Sequence, residues 1–76
     1  MVYPIRINSI ADAHKISNLV AKSGENISIN YGSITLDPRS VLGLAMLIGK
    51  DALLVGPDHM DPSKFASVIE KIGAAV

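Results

Sequence analysis

Ile27-Ser28-Ile29-Asn30-Tyr31-Gly32-Ser33-Ile34-Thr35-Leu36 is the stretch on which the fold turns. Ile27, Ile29 and Tyr31 alternate with Ser28 and Asn30, the two-residue period of a half-buried strand. Gly32-Ser33 is a glycine-first, two-residue connection, the pattern of a tight primed turn. Ile34-Thr35-Leu36 then returns as the partner strand. A hairpin at mid-chain calls for an antiparallel sheet. The segments on either side show what that sheet carries.

Towards the N-terminus, Ile16, Leu19, Val20 and Ser23 recur at helical spacing from about Asp12. Gly24 ends the run as a C-terminal cap. Asn8 to Ala13 reads as a loop. Val2 to Ile7 reads as a strand with Tyr3, Ile5 and Ile7 on one face, and Pro4 places it at a sheet edge. Towards the C-terminus, a short apolar helix follows Ser40 and closes near Gly49. Ala52 to Val55 is wholly apolar, which suits a central strand. Pro57 to Met60 is a loop. Asp61 caps the last helix, Pro62 takes its first position, and Phe65, Val68, Ile69 and Ile72 form its apolar stripe. Glu70 and Lys71 lie on its solvated side. The order is βαββαβα, an open-faced α+β sandwich with a four-stranded antiparallel sheet and helices on one face.

Size and composition bound the rest. Seventy-six residues make a single domain, spanning 1–76, with one core. Cysteine is absent, so neither a disulfide framework nor a thiolate zinc site can hold it together. Stability must come from packing, and a 49% hydrophobic content makes an aliphatic core feasible. Seven basic residues balance seven acidic ones, which removes the electrostatic footprint of a nucleic-acid binder. No tract approaches the ~20 apolar residues of a membrane span, and the N-terminus has no basic leader or apolar h-region. A cytoplasmic monomer is expected.

Two tracts carry candidate chemistry. In Leu36-Asp37-Pro38-Arg39-Ser40-Val41-Leu42-Gly43-Leu44, turn residues give way to an apolar helix. Ser40 at that junction can cap the first orphan amides, or receive a phosphate facing the positive end of the helix dipole. Arg39 puts a cation beside it. His14, next to Lys15 at the expected start of the first helix, lies near amides that could hold phosphoryl oxygens. It is equally an exposed helix-start residue without a role. His59 lies in a turn and reads as solvated. Neither histidine has partners at metal-ligand spacing, no nucleophile elbow or phosphate-binding loop is present, and no metal or cofactor is expected.

The element order, His14 near helix one and Ser40 at helix two together resemble the HPr family, the histidine-containing phosphocarriers of the bacterial sugar phosphotransferase system. The likeness covers essentially the whole chain, which is shorter than typical members between the first helix and second strand. Arg39-Ser40-Val41-Leu42-Gly43-Leu44 is similar to the family's Lys-Ser-Ile-Met/Leu-Gly-Val tract, which holds a regulatory serine phosphorylated by a dedicated kinase. The family's Gly-Leu-His-Ala-Arg-Pro-Ala loop corresponds to Asp12-Ala13-His14-Lys15-Ile16-Ser17-Asn18. Ile16 stands where the phosphoryl-contacting arginine belongs, and Ser17 where the proline does.

The resemblance implies a phosphoryl carrier or regulatory protein, not a turnover enzyme. His14 would be the phosphoryl acceptor (a phosphohistidine), Lys15 the substitute cation, and Ser40 with Arg39 the phosphoserine site. It implies as partners the system's phosphoryl donor and acceptor proteins and a serine kinase, docking around Ile16, Val41, Leu42 and Ala45. Ordinary core is the other reading of such apolar positions. The alternative function is an HPr-fold interaction module that has lost phosphotransfer.

Overall fold

A computed structural model of the chain describes residues 1–75. Along them lie β1 (Val2–Arg6), α1 (Ile10–Ser23), β2 (Ser28–Tyr31), β3 (Ile34–Leu36), α2 (Val41–Ala45), β4 (Asp51–Val55) and α3 (Pro62–Ala75). The sheet is antiparallel throughout, in the order β1-β4-β2-β3. This is the α+β open-faced sandwich expected from the sequence pattern.

Local chemistry explains the strand order. Tyr31 pairs with Ile34 across the turn, and Gly32 takes a φ of 59°. No non-glycine residue has a positive φ among the described residues, so Ser33 does not, and the connection is of type II′. β4 pairs on both sides, with β1 and with β2, as its unbroken apolar run requires. β1 lies at the edge. The Gly56 amide donates to the Met1 carbonyl at 2.8 Å, which makes Val2–Val55, and two residues on Pro4–Leu53, non-hydrogen-bonded pairs. The missing N–H of Pro4 therefore faces the free edge and removes nothing from the ladder.

One face of the sheet is covered. Ile5, Ile29, Ala52 and Leu54 from the strands meet Ile16 and Val20 of α1, Leu44 of α2, and Phe65, Val68 and Ile72 of α3 in one cluster. α3 comes very close at Gly56, where a Cβ would stand 2.7 Å from the Phe65 ring. Gly24 closes α1 in the left-handed region at φ 70°, as its C-terminal position predicts. No described helix is long and apolar enough to cross a membrane.

Three strand ends differ from the sequence reading by a single residue, and two boundaries differ by more. Asn8 to Ala13 is not a loop: α1 begins at Ile10, because Ser9 is an N-cap whose Oγ accepts from the Asp12 amide at 3.1 Å. α2 ends at Ala45 and does not run on to Gly49. The Gly49 amide instead donates to the Ile7 carbonyl at 2.7 Å, and Ile48 bridges Ile7. A five-residue helix containing Gly43 has too few internal bonds to outcompete that pairing.

Candidate functional site

α1 and α2 pack side by side, and the candidate residues lie along that pair. At the start of α1 the Ser9 backbone is extended, and its carbonyl accepts the Ala13 amide at 3.1 Å. The Asp12 carboxylate reaches back to the Asn8 amide at 3.1 Å. Side chains and carbonyls thus satisfy three of the amides around this start, in the manner of a capping box. The Asp12 carboxylate also puts negative charge where an incoming anion would sit. His14 is the fifth residue of α1, a turn inside the helix, and its side chain is exposed. The histidine is not at the helix start, and free helix amides do not surround it.

Its neighbours divide by face. Lys15 is exposed, on the solvent side. Ile16 is 0% exposed in the core and cannot touch a partner, which corrects its placement on a docking surface. Helical spacing turns it to the sheet together with Ala13 and Val20. Ser17, where the resemblance would put a proline, is also buried. Its Oγ donates to the Arg39 carbonyl at 2.8 Å, so α1 is bonded to the residue immediately before Ser40.

Ser40 caps α2. Its Oγ accepts from the Gly43 amide at 3.3 Å and its carbonyl from the Leu44 amide at 3.1 Å, while its side chain remains exposed. Arg39 is adjacent in sequence, yet its guanidinium is committed elsewhere. Nε and one terminal nitrogen donate to the two Asp37 oxygens at 3.1 and 3.2 Å, and the Arg39 amide donates to the same carboxylate at 3.0 Å. The Arg39 side chain holds the Asp37 carboxyl below its ordinary pKa, with the amide bond adding to the effect. The same pairing raises the Arg39 guanidinium. A phosphate on Ser40 would have to compete with Asp37 for that cation.

The outward side of the pair is apolar. Leu42 is 83% and Met46 72% exposed, one turn apart. Ile10 at the start of α1 and Ile48, bridged to Ile7, are also exposed. Val41 and Ala45 are half-buried, and Val41 packs against the core. Sequence reasoning names Leu42 but misses Met46, Ile48 and Ile10. The tract Val41 to Ile48 is apolar all round, so periodicity cannot say which residues point outward, and Ile10 reads as part of a loop.

His59 belongs to a different cluster. Glu25, only 19% exposed at its side chain, accepts from Lys64 Nζ at 3.1 Å, with His59 Nε2 at 3.9 Å. This ties the end of α1 to the start of α3, away from His14. Among the described residues no group of three or more His, Asp or Glu side chains could hold a metal ion. No protein-family model matches the chain, and no curated protein matches it.

Proposed function

We propose that the chain is an HPr-like regulatory protein of a bacterial sugar phosphotransferase system, working in the cytoplasm through the outer surface of α1 and α2. What supports this most is the bond between Ser17 Oγ and the Arg39 carbonyl at 2.8 Å, which joins the helix bearing exposed His14 to the cap residue Ser40. Leu42 and Met46 supply the apolar docking surface beside them. Ser40 is the kinase-modified residue: a phosphate there adds up to two negative charges at the edge of that surface. His14 is the phosphoryl acceptor. A lone pair of its imidazole forms a P–N bond as the donor's bond to phosphorus breaks. The donor's leaving group departs with that electron pair and receives the ring proton His14 gives up.

A second reading has its own observation. Ser9 and Asp12 cap the start of α1 a turn before His14, and Ile16 is in the core, so no guanidinium stands beside the histidine and it lies inside the helix, away from its starting amides. In that reading the protein docks partners through Leu42 and Met46 without carrying phosphate. Incubation with the system's phosphoryl donor separates the two. Acid-labile phosphate on His14, absent from His14→Ala, establishes the carrier. If nothing is transferred under conditions that label an authentic carrier, while Leu42→Asp alone abolishes partner binding, the docking module stands and the carrier is rejected.

A further inference from the structure

The second face of the sheet, opposite the helices, has its own chemistry. Residues alternate along each strand, so the neighbours of buried Ile5, Ala52 and Leu54 point away from the helices. On β1 these are Val2, Pro4 and Arg6; on β4 they are Val55, Leu53 and Asp51. They stand in three cross-strand pairs: Val2 with Val55, Pro4 with Leu53, and Arg6 with Asp51. All three are non-hydrogen-bonded pairs, the kind whose side chains approach most closely. Val2 is 57% and Leu53 43% exposed, and no described residue covers them. Beyond β4 the same face turns polar and uncharged, with Ser28, Asn30 and Thr35. The result is an apolar block with an ion pair at one end and a neutral polar margin at its side.

We propose that this face is a self-association surface whose occupant is a second copy of the chain. The argument is one of register. A two-fold axis parallel to the strands, running between β1 and β4, lays β1 of one copy over β4 of the other without shifting the rows. Val2 then meets Val55 of the second copy, and Pro4 meets Leu53. Each Arg6 lies over the other copy's Asp51. Because the three pairs are apolar, apolar and oppositely charged, this operation opposes no like charges and buries no charge against the apolar block. A two-fold axis perpendicular to the strands would set Arg6 and Asp51 against valines, so the charges select one orientation. Arg6 and Asp51 can serve both contacts: their own bond is 3.2 Å long and their side chains are 54% and 83% exposed. Arg6 also donates to the Gly49 carbonyl at 2.8 Å, which holds the guanidinium at that end of the face.

Size sets the strength. Two strands about 4.8 Å apart and five residues long cover about 10 by 17 Å, so the total burial stays under about 1,000 Å². The pair is therefore weak, forming at high concentration and dissolving on dilution, and it leaves the α1–α2 surface free.

Sedimentation of the full chain, from about 20 μM to about 2 mM, tests the proposal. The weight-average mass of the wild type should climb from one chain towards two. Leu53→Asp, and Leu53→Thr as the variant that keeps strand propensity, should remain monomeric with unchanged circular dichroism. Arg6→Asp alone and Asp51→Arg alone should each associate about tenfold more weakly, because each opposes like charges. Mixed in equal amounts they should recover association, since the aspartate introduced on β1 of one variant then meets the arginine introduced on β4 of the other. A wild type that is monomeric at every concentration overturns the proposal. So does association that Leu42→Asp removes and Leu53→Thr does not, or a mixture no stronger than the single variants.

Discussion

At the start of α1, Ser9 bonds the Asp12 amide and Asp12 bonds the Asn8 amide, and the histidine of interest comes a full turn later. At the start of α2, Ser40 is itself both the cap and the residue of interest, on a helix of five residues. The first start is closed, embedded in a 14-residue helix, and backed by Ile16 in the core. The second is short and exposed, held in place from outside by the Ser17 bond to Arg39. A modification at Ser40 replaces a cap and reaches the exposed apolar side chains of α2, the proposed docking surface, directly. A modification at His14 finds solvent and Lys15 but no preformed cradle. The two sites are therefore unequal: α2 has the parts of a switch, whereas α1 offers a nucleophile without the groups that usually stabilise its phosphorylated form.

The largest expected effect tests the closed side of this contrast. Ile16→Arg restores the residue type that the resembling family carries, but it puts an unpaired cation into a fully buried position. The expected loss is about 3–5 kcal/mol, a large share of the roughly 4–11 kcal/mol available to a domain of this length, so the thermal midpoint should fall by at least ~12 °C. A melt like the wild type's, together with improved phosphotransfer, would break the comparison. On α2, Leu44→Ala should cost about 2–5 kcal/mol, because Leu44 is fully buried. Its neighbour Leu42, changed to Asp, should shift stability by no more than about 0.5 kcal/mol while removing partner binding. Urea titration of both reads the difference.

Ser17→Ala comes next. It removes the side-chain bond that ties α1 to α2 and leaves the Arg39 carbonyl without it, for a loss of about 1–2 kcal/mol. Hydrogen exchange should rise over α2 more than over α1. Ser9→Ala should cost about 1 kcal/mol, and Ser40→Ala nearer ~0.5 kcal/mol because its capping bond is longer, at 3.3 Å against 3.1 Å. Equal losses in chemical denaturation would show the two caps to be alike.

The smallest effect is electrostatic. The Asp37 carboxyl is held below its ordinary value in the folded state, so its contribution is present above the unfolded carboxylate pKa and is lost as pH falls through the lower, folded one. Carboxyl NMR should place the Asp37 midpoint below that of a free aspartate. Arg39→Ala should move it back up.

Much of this architecture is legible in the sequence for identifiable reasons. Gly24, Gly32 and Pro62 are positions where backbone geometry selects the residue, and each marks its boundary correctly. The wholly apolar Ala52 to Val55 suits only a strand paired on both sides, and Pro4 only an edge. The candidate site is less legible. The Ser9 cap is legible in the Ser9-Ile10-Ala11-Asp12 spacing, a serine with an acid three residues on ahead of Ala13, Ile16 and Val20, but reading the helix only from Asp12 passes over it. For Ile16 two signals conflict: helical spacing sends it to the core, the family resemblance sends it to the surface, and spacing prevails because burial outweighs any single lost contact.

Strand and helix boundaries, the hairpin type and the apolar stripes are governed by neighbours a few residues apart, where backbone torsion and side-chain period act. Which oxygen captures the Arg39 guanidinium depends on how the Asp37 turn folds. That Ser17 reaches the Arg39 carbonyl, that Leu42 faces solvent while Leu44 does not, and that three β1–β4 pairs form an uncovered patch depend on segments far apart in the chain. Such contacts exist only after packing has brought those segments together, so no local pattern could announce them.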